Sequence, residues 1–217
     1  MPLTYIHHSC FAYNAPRFVI VYDYWKDPND ILLPILDEAA EQSKDVYFII
    51  SHFHEDHFNA DIPQWCHDNP SWHLLASYDT VRRRHIDKEL PLAVLRPGDI
   101  VDTPFFRLHA YRSTDVGVST VTQLFDGTTL YHAGDNNNWY FAEPNLFYAD
   151  RVKISLDQMD KLFLSILHDI RKDFPYLDHA MFPVDHRVEQ EMLRGLFQLL
   201  ETFRIGQVHP MHFCLPY

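Results

Sequence analysis

The 217-residue sequence has few cysteines, no long apolar run and no linker rich in glycine and serine. Its cysteines, Cys10, Cys66 and Cys214, are odd in number and widely spaced. This pattern gives no disulfide framework and favours a reducing compartment, and we interpret Cys10 and Cys214 as buried thiols. No stretch approaches the roughly eighteen apolar residues of a membrane span, and no signal peptide is recognisable. We therefore expect a cytoplasmic protein with no membrane partner.

Basic side chains are also scarce. The 18 Lys and Arg residues stand against 30 Asp and Glu residues, for a formal net charge of -12. Surfaces that hold a nucleic-acid backbone are positive, so we expect no nucleic-acid partner and a small-molecule substrate instead. The one basic run, Arg82-Arg83-Arg84-His85, lies in a predicted short helix after Thr80, and we interpret it as a solvated face. The oligomeric state is left open.

Short apolar runs bounded by turn residues alternate with helical patterns along the chain. We find no repeat or low-complexity tract and predict a single domain over residues 1–217. Many early strands with interspersed and terminal helices favour sheets that lie between helix layers. Helices are predicted at Asp30–Gln42, from the capping box Ser155–Gln158 onward, and at Val188–Phe203. Strands are predicted at Thr4–Ile6, Phe11–Tyr13, Phe18–Tyr22, Val46–Ser51, Trp72–Ala76, Phe105–Tyr111, Val118–Phe125, Thr129–Ala133, His179–Val184 and Gly206–Met211.

The most informative of the 15 histidines follow the predicted strand Val46–Ser51. Alternate side chains of an extended segment face the same way, so His52 and His54 can converge on one metal ion. Asp56 and His57 come one residue further into the turn and can reach a second ion. Neutral imidazole and carboxylate are ligand types that zinc accepts. The spacing H-x-H-x-D-H therefore predicts a metal site.

Two further candidate ligands stand at strand ends. Asp135 follows Thr129–Ala133, and His212 follows Gly206–Met211. Alone, Asp135 would be an ordinary turn aspartate and His212 a core or surface histidine. Ligands delivered by three strand ends to one rim would form a preorganised site. The full candidate ligand set is His52, His54, Asp56, His57, Asp135 and His212.

The motif H-x-H-x-D-H after a buried strand resembles the signature of the metallo-β-lactamase fold superfamily. Three other segments support the resemblance along about the whole chain: Tyr5–Phe11, Tyr131–Asp135 and Pro210–Phe213. The first is similar to the Gly-His-small-x-Phe opening of a branch that includes ascorbate-phosphate lactonase-like enzymes. The resemblance implies an α/β (α+β) fold, a four-layer αββα sandwich with the site at one edge of its two sheets. It also implies two divalent cations bridged by Asp135. Zinc is the expected metal, with manganese or iron as alternatives.

The chain departs from this pattern at one ligand position. Members of the superfamily usually carry another histidine just before a Thr-Pro-Gly-like turn, but this chain reads Arg112–Gly117 there, with no histidine. The first metal could have fewer protein ligands plus water, or His8 could replace the missing ligand, or only the second metal binds tightly. Asp115 is a further candidate, as a substitute oxygen ligand. We expect two metals, the first held more weakly.

Several other residues are predicted beside the ligands. Asp56, His8 and Asp185 are candidate catalytic groups, with His8 facing the substrate or orienting water. Asp23 follows the strand Phe18–Tyr22 and could hold a ligand imidazole in its correct tautomer. Arg187 could clamp a carboxylate or phosphate, or form a structural ion pair. Asn137 and Trp139 follow Asp135 in a candidate substrate-binding loop.

This ligand set indicates hydrolysis by a metal-activated water oriented by Asp56. The expected substrate is a small ester, lactone, amide or phosphodiester, because fold alone does not fix it. One alternative is a nuclease or nucleotide phosphodiesterase, which the acidic charge disfavours. Another is a non-catalytic metal-binding or sensing module with an incomplete first site. A diiron redox role is disfavoured because that branch usually has Glu where His54 stands.

Overall fold

The computed structural model describes residues 3–87, 89–140 and 155–212. Five α-helices lie in these segments: α1 Leu32–Glu41, α2 Ile62–Asp68, α3 Tyr78–Arg83, α4 Leu156–Asp173 and α5 Arg194–Thr202. Short 3-10 helices lie at Glu55–His57 and His186–Glu191. The strands are β1 Leu3–His7, β2 Cys10–Asn14, β3 Phe18–Tyr22, β4 Asp45–Ile50, β5 Trp72–Ser77, β6 Leu92–Leu95, β7 Ile100–Asp102, β8 Phe106–Tyr111, β9 Ser119–Leu124, β10 Thr129–His132, β11 Tyr176–Pro183 and β12 Arg204–Met211.

The strands form two six-stranded mixed sheets, in the orders β1-β2-β3-β4-β5-β6 and β12-β11-β10-β9-β8-β7. In the first sheet β1, β2 and β3 pair antiparallel and the strands from β3 to β6 pair parallel. In the second sheet β10, β11 and β12 pair parallel and the rest antiparallel. As a result, β1, β3 and β4 share one direction within their sheet, and β8, β10, β11 and β12 share one direction within theirs.

Strand β4 illustrates how helices cover one face of the first sheet and the second sheet covers the other. Its side chains alternate between the two faces, as in any strand. Val46, Phe48 and Ile50 pack in a cluster with helices α1, α2 and α3, whereas Tyr47 and Ile49 pack against the second sheet. All five side chains are buried. The near-continuous apolar run in the sequence is therefore the mark of a strand buried on both faces.

Helices cover the outer face of each sheet. α1 contacts β4, and α2 and α3 contact β5, while α4 contacts β8 and α5 contacts β12. α4 begins with the predicted capping box: Gln158 N donates to Ser155 Oγ, and Ser155 N donates to Gln158 Oε1. The order of layers is helix, sheet, sheet, helix, which confirms the predicted αββα sandwich. Within the described residues, no helix combines the length and the apolar character needed to cross a bilayer.

Some predicted elements are wrong or missing. The helix predicted at Val188–Phe203 is interrupted, because Glu189 has a left-handed backbone (φ 53°), and α5 begins only at Arg194. α3 begins at Tyr78, capped by Ser77, rather than after Thr80. Three further elements, α2, β6 and β7, were not predicted, because they are short segments without a clear period. None of these differences moves a strand that ends at the candidate site.

Candidate metal centre

The candidate ligands lie beyond the carboxyl ends of strands that run in the same direction. His52 follows β4, Asp135 follows β10, and His212 comes directly after β12. The ends of the two sheets are joined here, since His212 N donates to His8 O at 3.0 Å and Val118 N donates to Ser51 O at 2.9 Å. The structure thereby brings all six candidate ligands to one rim.

Three residues of this rim have a left-handed backbone that non-glycine residues rarely adopt: His8 (φ 53°), Asp23 (φ 42°) and His212 (φ 68°). Each is the first residue after a strand, β1, β3 or β12. Such a conformation costs about 1–3 kcal/mol per residue and persists where the surrounding structure imposes it, often at functional sites. The strain at this rim is a reason, independent of residue type, to regard it as the functional site.

Three imidazoles are oriented through their Nδ1 atoms. His57 Nδ1 lies 2.7 Å from Asp23 Oδ2, and His212 Nδ1 lies 2.8 Å from Asp185 Oδ2. Because a carboxylate only accepts, Nδ1 carries the proton in both rings. His52 Nδ1 lies 2.9 Å from Ser51 Oγ, which itself donates to Asp23 Oδ2 at 2.5 Å. When these rings are neutral, as metal ligands must be, Nε2 of each is therefore left with a lone pair.

These Nε2 atoms converge on Asp135. Asp135 Oδ1 lies 3.1 Å from Nε2 of both His57 and His212, and Asp135 Oδ2 lies 3.6 Å from His52 Nε2. The two oxygens of this carboxylate therefore face different imidazoles. This arrangement matches the bridging role that the sequence resemblance implies for Asp135.

Around Asp135 the candidate atoms form two groups, each with all atoms within 4.8 Å of one another. The first group is His52, His54, Asp115 and Asp135, and the second group is His8, Asp56, His57 and His212. The candidate atoms of Asp23, His52 and His57 also lie within 4.8 Å of one another. Asp23 already binds Ser51 N, Ser51 Oγ and His57 Nδ1, so we assign it to orienting ligands.

The second group and the adjoining Asp135 also present buried polar atoms without a hydrogen-bond partner in the described part of the chain. They are Nε2 of His57 and His212, Oδ1 of Asp135 and both ring nitrogens of His8. Leaving such atoms unsatisfied costs about 1–3 kcal/mol each, and native proteins rarely do so without a reason. A divalent cation would satisfy imidazole nitrogens and a carboxylate oxygen together. The residues present therefore fit a metal ion.

Burial and mutual charge shift the pKa values within the centre strongly. Burial, together with the neighbouring His57, lowers the pKa of His52 to about 3. Burial opposes protonation of His212 as well, but the carboxylates of Asp135 and Asp185 raise its pKa to about 9. Burial would raise the pKa of Asp135, yet His212, His57 and His52 hold it well below its usual range. The carboxylate is thus ionised and ready to bind a cation.

Two glycines allow neighbouring loops to approach Ser51 closely, just after the end of β4. Gly117 (φ 74°) and Gly134 (φ 53°) both have left-handed backbones. A Cβ on Gly117 would lie 2.1 Å from Ser51 O, and one on Gly134 would lie 2.7 Å from Ser51 Cβ. Only glycine fits at these positions. Ser51 thus joins the loops that carry His52, Asp115 and Asp135.

The remaining predicted residues differ in how they relate to the centre. Arg187 forms a two-pronged ion pair with Asp185, so of its two predicted roles the structure shows the ion pair. Trp139 Nε1 donates to Asp135 O at 3.0 Å, and its ring lies 6.0 Å from that of His212. Asn137 does not join either group, because its side chain lies against Gly195 and accepts a hydrogen bond from Asn138 N.

Some contacts at the centre were not predicted from the sequence. Ser51 links Asp23 to His52, although only its position beside the motif pointed to it. The basic run is exposed as expected, but Arg84 Nε donates to Phe53 O at 2.9 Å, and so braces the loop between His52 and His54. Cys10 is buried as predicted, and Cys214 lies outside the described residues. His109 packs against Phe174 and belongs to neither group.

Comparison with known proteins places this geometry in a fold family. No protein-family model matches the sequence, and no curated protein matches it. Among solved structures, the metallo hydrolase Igni18 from Ignicoccus hospitalis aligns with 97% of this chain and 81% of its own, with a TM-score of 0.65 and 18% identity. The metallo-β-lactamase fold protein YhfI from Bacillus subtilis aligns with 95% of this chain and 78% of its own, with a TM-score of 0.56 and 13% identity.

A third similar structure has a different chemistry. CmlA, a diiron β-hydroxylase from Streptomyces venezuelae, aligns with 97% of this chain and 44% of its own, with a TM-score of 0.63 and 11% identity. Identities this low show a shared fold and leave substrate and metal undetermined. The ascorbate-phosphate lactonase-like branch therefore stays a prediction. The sheet topology and these similarities agree on one conclusion: the chain has the metallo-β-lactamase fold.

Proposed function

We propose that this protein is a metal-dependent hydrolase with two divalent cations, of which zinc is the preferred candidate. The cations are held by His52, His54, Asp56, His57, Asp135 and His212. One observation carries the proposal most directly. Nε2 of His57 and Nε2 of His212 are buried, have no hydrogen-bond partner among the described residues, and lie 3.1 Å from the same oxygen of Asp135. Paired cations lower the pKa of a water molecule and polarise a carbonyl or phosphoryl oxygen.

The protein orients the ligand imidazoles and buries them away from solvent. Asp23 and Asp185 fix the rings of His57 and His212, which keeps both Nε2 atoms directed at the centre. His8 lies in the same buried environment, where burial lowers its pKa to about 4 and keeps the ring neutral. Asp56 Oδ2 lies 3.3 Å from His8 Nε2. Asp56 is ionised at neutral pH and can accept a hydrogen bond from water, which supports its proposed role in orienting the attacking molecule.

The exposed members of the centre indicate where a substrate approaches. The side chains of His54, Asp115 and Asp56 are 22%, 33% and 20% exposed, whereas those of His8, His52 and His57 are fully buried. Aromatic rings lie beside this opening, since Phe53 is 4.7 Å from His54 and Trp25 is 5.9 Å from His8. A small substrate with an apolar part would fit such walls.

We propose a small ester, lactone, amide or phosphodiester as the substrate class. The net charge of -12 disfavours a nucleic acid, so a nuclease or nucleotide phosphodiesterase is the second choice. A non-catalytic metal-binding module would need an incomplete first group. Asp115 Oδ2 lies 3.5 Å from His54 Nδ1, which supplies a fourth donor there and disfavours that alternative.

The experiment combines elemental analysis of the purified protein with a panel of lactone, ester and bis-aryl phosphate substrates. We expect bound divalent metal and turnover of at least one class. His54→Ala should lose turnover and bind less metal while the circular dichroism spectrum stays unchanged. His168→Ala, which changes an exposed histidine of α4, is the matched control and should keep both. Full activity of His54→Ala, or a metal-free protein that turns over the panel, would refute the proposal.

A further inference from the structure

The first group differs from the usual pattern of the superfamily in one donor. Where that pattern has a third histidine, this chain has the segment Arg112–Gly117, and the structure brings Asp115 from it to the group. His52 Nε2 lies 2.9 Å from His54 Nδ1, Asp115 Oδ2 lies 3.5 Å from the same Nδ1, and Asp135 Oδ2 lies 3.6 Å from His52 Nε2. The group thus offers two imidazole nitrogens and two carboxylate oxygens.

Asp115 is brought there by a constrained loop. Val118 N donates to Ser51 O, and Gly117 lies so close to Ser51 and His52 that no side chain would fit. On its other flank Thr114 N donates to Asn136 Oδ1 at 3.2 Å, and Thr114 Oγ1 donates to Asn137 O at 2.6 Å. Both anchors are segments that carry candidate ligands. The position of Asp115 is therefore a built feature of the rim.

The second group has the opposite composition. It offers three imidazoles, from His8, His57 and His212, and one carboxylate of its own, from Asp56. The ring of His8 lies 4.4 Å from that of His212 between centroids, and both its nitrogens are buried without a hydrogen-bond partner among the described residues. The first group thus has one imidazole fewer than the usual pattern, whereas the second group has three imidazoles.

We propose that the two groups bind different metals, with zinc in the second group and a harder cation, manganese or ferrous iron, in the first. Nitrogen-rich sites favour zinc, whereas carboxylate oxygens suit manganese, and two histidines with carboxylate ligands suit ferrous iron. Zinc still binds more tightly than manganese at most sites, so the difference between the groups is one of relative preference. The inference rests on the proposed function only in that cations bind at this rim.

The test uses the metal-stripped protein, one equivalent of zinc and an excess of Mn²⁺. After desalting, we expect about one zinc and about one manganese per chain by elemental analysis, as for a two-metal site. Electron paramagnetic resonance should show manganese immobilised on the protein. Asp115→Asn should keep zinc and bind manganese at least about tenfold more weakly, the lower end of losses seen when even outer partners of a metal are mutated.

A second variant keeps the proposal falsifiable if Asp115→Asn is poorly folded. Asp115→His restores three imidazoles to the first group and should convert it to a zinc site, so that two equivalents of zinc displace manganese. Asp126→Asn is the matched control: it changes an exposed carboxylate in the turn at the opposite end of β9 and should bind both metals as the unaltered protein does. Circular dichroism establishes the fold of each variant.

The outcomes separate this inference from the hydrolase proposal. Unaltered manganese binding by Asp115→Asn, or failure of the unaltered protein to retain manganese beside zinc, would overturn the inference. If both metals load as described and no substrate of the panel turns over, the inference stands and the proposed hydrolase activity fails. If two zinc ions bind equally well and the panel turns over, the hydrolase proposal stands and this inference fails.

Discussion

The two groups of the metal centre are held in different ways. In the second group, His57 and His212 are each oriented by a buried carboxylate, Asp23 or Asp185, and follow strands directly or within a short turn. In the first group, His54 and Asp115 are partly exposed and lie on loops. A centre can thus be rigid on one side and accessible on the other. We infer that the second group determines whether metal binds at all, and that His54 and Asp115 of the first group meet the substrate.

Replacing the residue shared by both groups should have the largest effect. Asp135→Asn removes the negative charge that His52, His57 and His212 all face. We expect the metal content to fall from about two ions to near none, because both positions lose their common ligand. Elemental analysis after gel filtration measures this. If Asp135→Asn retained one full equivalent of metal, the carboxylate would belong to one group only and would not be shared by the two.

The second group can be weakened without touching a ligand. Asp23→Asn replaces an acceptor of three buried hydrogen bonds with a group that also donates, so His57 loses the partner that fixes its tautomer. Zinc affinity should fall about 10–100-fold. The free energy of unfolding should fall by about 1.5–3 kcal/mol, the contribution of a hydrogen bond to a charged group. Chelator competition and urea denaturation measure the two effects, and an unchanged zinc affinity would contradict the orienting role.

The loop of the first group can be disturbed by a single methyl group. In Gly117→Ala, the left-handed backbone costs about 1–2 kcal/mol, and overpacking against Ser51 O costs a further 1–3 kcal/mol or so. The matched control is Gly127→Ala, which has a similar backbone (φ 95°) and nothing within 4 Å of the added Cβ. The free energy of unfolding of Gly127→Ala should fall only by the cost of the left-handed backbone. Equal stability of the two variants by urea denaturation would show that the contact with Ser51 does not constrain the loop.

The smallest difference should appear on gradual removal of metal. When the loaded protein is titrated with a chelator, the ion of the first group should leave first, at a chelator concentration about tenfold lower. The ion of the second group should stay longer because its imidazoles are oriented by carboxylate partners. Loss of the second ion should then lower the melting temperature, because each ion bound at 100 times its Kd stabilises the fold by about 2.7 kcal/mol. Simultaneous loss of both ions would contradict a difference between the groups.

Some members of the two groups were easier to predict from the sequence than Asp115, for a physical reason. His57, Asp135 and His212 could be identified because they follow strands whose apolar pattern is recognisable, and parallel strands end at a common edge. The position of Asp115 depends on the contact between Gly117 and Ser51, which are 66 positions apart. A local pattern does not record such a contact, so several candidates for the missing ligand stayed open.

The same limit explains the errors in the fold. The apolar residues of Val188–Phe203 recur at helical spacing, yet Glu189 adopts a left-handed backbone that ends the first turn. Asn137 was predicted in a substrate-binding loop from its position after Asp135, and its packing against Gly195 is a tertiary contact that no local pattern records. The long helix α4 was correctly predicted, because its cap and its apolar period are both local. The single domain and the cytoplasmic location stay predictions.

X-ray diffraction with anomalous scattering at the zinc and manganese edges tests the central claim most directly, because it locates each metal among the side chains. We expect a zinc peak about 2.0–2.1 Å from Nε2 of His57 and Nε2 of His212. A manganese peak should lie near Asp115 and His54. A loaded crystal with metal peaks elsewhere on the molecule, and none between His57, His212 and Asp135, would contradict the account.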